Sequence, residues 1–130
     1  MASGHRSHLD YPELFHAAAY FAVSPPDGAN PVAVDARLLF YGLYMQSMYG
    51  PVSKTGVTRP WGSFFGGKTE EQEKYDTWAG LGDMTRLEAM MLYVKNMEED
   101  NPNWWELLTE NNHPDLVLAI TDGGPPAPGD

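Results

Sequence analysis

Residues 38 to 49 read Leu38-Leu39-Phe40-Tyr41-Gly42-Leu43-Tyr44-Met45-Gln46-Ser47-Met48-Tyr49, and only Gly42, Gln46 and Ser47 interrupt the apolar and aromatic run. A helix that is apolar on nearly every side must be enclosed by neighbours or must keep one side for a ligand or a partner. On pattern alone a central core helix is the better reading. Full enclosure, however, is hard to arrange in a domain this small. Tyr41 and Tyr44 shift the balance, because a buried phenol needs a hydrogen-bond partner and can donate to phosphate.

Punctuation on either side brackets this helix. Asn30-Pro31 reads as a cap followed by a helix-starting proline, and Gly50-Pro51 ends the run after Tyr49. Upstream, Leu14, Phe15, Ala18, Ala19 and Ala22 form a stripe at three-and-four spacing, which predicts a first helix. That helix is expected to start near Asp10 as N-cap with Pro12 in its first turn, and Ser24-Pro25-Pro26-Asp27-Gly28 stops it.

Downstream, residues 51 to 67 are rich in Gly, Pro, Ser and Thr and read as a long loop of a kind that is often functional. A third helix is predicted from Thr69 to Ala79, with Glu70, Glu71 and Glu73 near its positive end and Gly80 as terminator. Thr85-Arg86-Leu87-Glu88 fits a capping box and opens a fourth helix that ends before Asn101-Pro102. Trp104-Trp105-Glu106-Leu107-Leu108 is expected to form a short fifth helix packed back onto the others, a reading favoured over a partner-docking motif.

The expected organisation is an all-α chain with a flexible N-terminus over 1–9 and one helical domain over 10–100. A C-terminal extension follows over 101–120, and a Gly/Pro-rich disordered tail over 121–130.

Composition narrows the function classes. The 130 residues are 42% hydrophobic and 20% charged, the proportions of a globular domain. No apolar run approaches the roughly 20 residues that cross a bilayer, and residues 1–8 lack the hydrophobic stretch of an export signal. The chain has no cysteine, which excludes disulfides and cysteine–metal sites and is compatible with a cytoplasmic location. Its net charge of −10 argues against nucleic acid as a partner and against a membrane-surface anchor held by basic residues. His5, His8, His16 and His113 show no metal-ligand spacing, and no nucleophile signature or phosphate-cradling glycine loop is present. The acids around Glu70 complement a helix dipole rather than mark a cation site. Lys74, four residues after Glu70, reads by itself as a solvated helix cation.

Four stretches together carry a resemblance. Leu38 to Ser47, closed by Gly50, is similar to the second helix of the acyl-CoA-binding protein family. Lys74-Tyr75-Asp76-Thr77-Trp78 resembles the family's Lys-aromatic-Asp-Ala-Trp stretch. Glu88-Ala89-Met90-Met91-Leu92-Tyr93-Val94 resembles its Ala-Met-x-x-Tyr-Ile stretch, and Phe15 with Ala18-Ala19 fits its first helix. Arg59-Pro60 stands where the family commonly has Arg-Pro. The resemblance runs over residues 11 to 100.

It implies an up-down bundle of four helices that binds long-chain fatty acyl-CoA without catalysis, as a carrier and pool former. It also implies no cofactor, a monomeric chain and transient contact with enzymes that use acyl-CoA. Carried over position by position, Tyr41, Tyr44, Lys74 and Tyr93 become ligand contacts, and Ala19 and Leu38 become walls around the adenine and acyl parts. Met45 occupies a site position where the family usually has a lysine for the ribose 3′-phosphate, and Val23 stands where another basic residue is common. Lys68, Lys54 and Arg59 are the cations available as substitutes. The competing reading is a helical interaction module of the same fold with weakened acyl-CoA affinity.

Overall fold

The structure is a computed structural model, and it describes residues 10–123. Among those residues it contains six α-helices and no strand: α1 Glu13–Val23, α2 Arg37–Tyr49, α3 Glu70–Ala79, α4 Arg86–Asp100, α5 Trp104–Asn111 and α6 Pro114–Gly123. The all-α class expected from the sequence is therefore observed. By internal contacts the chain forms two compact units. One is contiguous, Ala33–Ala89, and holds α2, α3 and the first turn of α4. The other is split in sequence and holds α1, the rest of α4, α5 and α6.

Several helix boundaries differ from the sequence expectation, each for a local reason. Pro12 takes the N-cap position of α1, so Asp10 does not cap it; the Asp10 carbonyl instead accepts from the Leu14 N–H at 3.0 Å. Asn30 does not start α2 either. Its backbone N–H donates to Asn101 Oδ1 at 2.8 Å, its carbonyl accepts from Asn101 Nδ2 at 2.9 Å, and its own Nδ2 donates to the Asp100 carbonyl at 2.8 Å. The residue is thus tied to the end of α4 by three hydrogen bonds. A 3₁₀ turn, Val34–Ala36, leads into α2 instead.

Two reciprocal caps fix the starts of α3 and α4. Thr69 Oγ1 accepts from the Gln72 N–H at 3.1 Å while Gln72 Oε1 accepts from the Thr69 N–H at 3.2 Å. Thr85 and Glu88 repeat the arrangement at 3.1 and 2.9 Å, as their spacing predicts. The α3–α4 turn is also held from α2. The fully buried Gln46 donates through Nε2 to the carbonyls of Gly82 and Met84 at 3.0 and 2.7 Å.

In the split unit the core is aromatic. Trp104 is fully buried, with its ring 6.1 Å from that of Phe21 and its Nε1 donating to Glu98 Oε2 at 2.9 Å. The fifth helix expected over 104–108 is present and packs inward. A sixth, α6, was not expected. It continues through Thr121, which is buried and whose carbonyl lies 3.1 Å from His16 Nδ1. The chain from 121 to 123 is therefore helical rather than tail, and the expected tail beyond it, with the expected flexible segment 1–9, lies outside the described residues.

Candidate functional site

The contiguous unit is organised by one close approach. At Gly42 of α2 an added Cβ would lie 3.0 Å from Thr77 Cγ2 and 3.4 Å from the Thr77 backbone, so the two helices touch where the side chain is missing. Thr77 cannot easily turn aside, because its Oγ1 donates to the Glu73 carbonyl at 2.8 Å. Beside this contact α2 presents Tyr41, Met45 and Tyr49 at four-residue intervals. Helix α3 presents Glu71, Lys74, Tyr75 and Trp78 at three-and-four spacing. Same-face residues of a helix recur at that spacing, so each helix contributes one face.

Those two faces, with Thr55, Val57 and Pro60 of the connecting segment, line a cavity of about 550 Å³. The volume lies in the range of small-molecule sites. Trp78 forms a rigid part of the wall: it is 3% exposed, and its Nε1 donates to the Gly50 carbonyl at 3.0 Å. The Tyr49 ring sits 6.3 Å from it.

The polar side of the cavity is a cation among phenols. Lys74 is half-buried, with Nζ 5.4 Å from the centroid of the Tyr41 ring. Among the described residues it makes no ion pair. A phenol is protonated at neutral pH and can donate there, and burial, with Tyr49 second, pushes the Tyr41 pKa further up. Glu71 is the one carboxylate in the lining and is exposed. The arrangement offers an anion one ammonium without an ion pair among the described residues and neutral donors, and offers a hydrocarbon the thioether and indole surfaces of Met45 and Trp78.

The other basic residues considered as substitutes are differently placed. Arg59 holds Asp76 through two bonds, Nε to Oδ1 at 2.8 Å and a guanidinium N–H to Oδ2 at 3.0 Å. Lys68 holds the same carboxylate at 2.9 Å. These bonds, Arg59's foremost, keep the Asp76 carboxyl far below the usual carboxylate range. Lys54 is exposed at the end of a 3₁₀ turn.

A sequence model described as Acyl CoA binding protein matches residues 12–97. The chain belongs to the acyl-CoA-binding protein family. Its relatives include acyl-CoA-binding domain-containing protein 6 of rice (Oryza sativa subsp. japonica), 35% identical over 90% of this chain and 20% of that protein. Acyl-CoA-binding domain-containing protein 4 of Arabidopsis thaliana is 37% identical over 85% of this chain and 16% of that protein. A relative from Rattus norvegicus, acyl-CoA-binding domain-containing protein 5, is 35% identical over 68% of this chain and 16% of its own length. The chain thus spans a fifth or less of the length of these curated relatives.

Against the positions that family membership suggests, the cavity brings together Tyr41, Met45 and Lys74. Tyr44, on the same helix, is buried outside the lining, with its phenol pKa likewise raised by burial first. Leu38 is half-buried one turn before Tyr41 and also outside the lining. Ala19 and Tyr93 belong to the split unit, Ala19 fully buried and the Tyr93 ring edge-on to Phe15 at 5.2 Å. The sequence reading passed over Tyr49, Tyr75, Trp78 and Glu71 as site residues. Their helical spacing from Tyr41 and Lys74 is the signal that would have found them.

Proposed function

We propose that this chain binds long-chain fatty acyl-CoA non-catalytically and acts as its carrier and pool former in the cytoplasm. A phosphate of the ligand pairs with Lys74 and accepts from the Tyr41 phenol, while apolar parts lie against Met45 and Trp78. The observation that carries this reading is Lys74: a half-buried ammonium in a cavity lined mainly by aromatic and apolar side chains, with no carboxylate paired to it among the described residues. A charged group held there gains most from an incoming anion that can make a charge-assisted hydrogen bond. The Tyr41 phenol, protonated at neutral pH, adds a neutral donor. No cofactor enters this reading, and no step is carried out on the thioester.

Calorimetric titration with palmitoyl-CoA tests it. Saturable one-to-one binding is expected, and it should tighten along an acyl series, because each methylene removed from water contributes about 0.8 kcal/mol. Absence of saturable binding overturns the carrier reading and leaves an interaction module. Affinity independent of chain length overturns the long-chain preference alone.

A further inference from the structure

Between α2 and α3 the chain displays three large aromatic rings to solvent. Trp61 is 74% exposed, Phe64 89% and Phe65 99%. The Trp61 and Phe64 rings meet edge-on at 5.1 Å, so they form one patch rather than isolated side chains. Scattered exposed hydrophobes need no explanation, but contiguous ones mark an interaction surface.

The patch is held out on a braced stem. Arg59 on one side and Lys68 on the other both grip the Asp76 carboxylate. Gln72 donates to the Pro60 carbonyl at 3.1 Å, and an added Cβ on Gly62 would lie 3.0 Å from its amide nitrogen. At the tip, Ser63 Oγ donates to the Gly66 carbonyl at 3.1 Å and accepts from the Phe65 N–H at 3.2 Å. The loop's shape is therefore fixed before any partner arrives, which lowers the ordering cost of docking.

Charge sets this segment apart from the chain around it. Residues 51 to 69 contain Lys54, Arg59 and Lys68 and no Asp or Glu, within a chain of net charge −10. Arg59 and Lys68 share Asp76, so the stem itself keeps one net positive charge, and Lys54 adds a second within the same segment. Aromatic rings with cations behind them match the boundary of a phospholipid bilayer, where rings sit at headgroup depth and ammonium or guanidinium groups meet phosphate. Glu70, Glu71 and Glu73, next along the chain, are repelled by such a surface and limit insertion to the tip.

We propose that the Trp61–Phe64–Phe65 tip is a wedge that docks this protein on the phospholipid surface of a membrane. No helix among the described residues is long and apolar enough to cross one, and the wedge engages the surface alone. Thr55, Val57 and Pro60 of the same segment line the cavity, so docking by the tip brings the cavity's own wall to the lipid surface. An apolar ligand would then pass between bilayer and cavity along one segment. The docking itself does not depend on which ligand the cavity takes.

The test is flotation of the full chain with vesicles of phosphatidylcholine alone and of phosphatidylcholine with phosphatidylserine. Wild type is expected to float with both and more with the second. The triple variant Trp61→Ser, Phe64→Ser, Phe65→Ser is expected to lose about tenfold or more in partitioning, since it withdraws the apolar area of three rings. Its thermal melt should match wild type because these rings touch little else; if it does not, Phe64→Ser with Phe65→Ser replaces it. Equal flotation of wild type and variant overturns the wedge, as does no flotation of either. A lipid-free dimer that disappears in the variant assigns the patch to a second copy of the chain and overturns it too. Solution titration of palmitoyl-CoA into the variant should be unchanged, which keeps this inference separable from the ligand reading.

Discussion

Replacing Lys74 by methionine keeps most of the side-chain stem against the Tyr41 ring and removes the charge. In the free protein the loss is small: a half-exposed cation–π contact is worth about 0.5–1 kcal/mol, and thioether–aromatic contact returns part of it. The melting temperature should therefore fall by only a few degrees. In the complex the loss is larger, because a charge-assisted hydrogen bond to phosphate contributes roughly 1.5–3 kcal/mol. That corresponds to about ten- to a hundredfold in Kd for palmitoyl-CoA.

The assay is a cycle of four titrations, wild type and Lys74→Met, each with palmitoyl-CoA and with a palmitoyl thioester of pantetheine that carries no phosphate. If Lys74 acts on phosphate, the substitution weakens the first ligand and leaves the second nearly untouched, and the difference is the coupling energy. Equal weakening of both ligands would show that Lys74 holds the cavity's shape. An unchanged Kd for palmitoyl-CoA would remove it from the site and refute the reasoning.

Met45 shares the cavity with Lys74, so Met45→Lys should strengthen discrimination between acyl-CoA and acyl-dephospho-CoA by about 1–2 kcal/mol after the cost of ordering the new side chain, as read by titration of both ligands. Trp78→Phe should lower stability by about 1–3 kcal/mol in denaturant melts, because the buried Gly50 carbonyl loses its indole donor; a change within error would mean water replaces it. Asp76 is held below its unfolded pKa, so its stabilisation is full above about pH 4 and is lost as pH falls further. Asp76→Asn should accordingly melt below wild type at neutral pH, and the gap should narrow as the pH drops through that window.

What the sequence discloses and what it withholds follows from range. The Thr85–Glu88 cap was legible because it closes within one turn, and α2 because its run of apolar residues admits few other readings. Asn30 misleads because the partners that occupy it, Asp100 and Asn101, are some 70 positions away, and no local pattern announces them. Helix α6 hides for another reason. Thr121-Asp122-Gly123-Gly124-Pro125 has a tail's composition, and only the contact with His16 shows why Thr121 is buried. In the site, Tyr41 and Lys74 stand out as chemistry, whereas Trp78 and Tyr49 become walls only once Gly42 and Thr77 have fixed how α2 and α3 meet. The competition for Asp76 between Arg59 and Lys68 is likewise invisible in one dimension.

The split of one unit across the chain has a consequence for how the molecule is made. Residues 33–89 are contiguous, and α2 meets α3 across the single 50–69 connection, so their contacts carry lower closure entropy than those of the split unit and form early. Helix α1 has no such neighbour. Its partners in its own unit lie on α4, α5 and α6, and the contact of His16 with Thr121 spans 105 positions. During synthesis α1 precedes α4, α5 and α6 and keeps Leu14, Phe15 and Phe21 uncovered until they follow. Capture of α1 closes the longest loops of the unit and is expected to come after α2 and α3 have met.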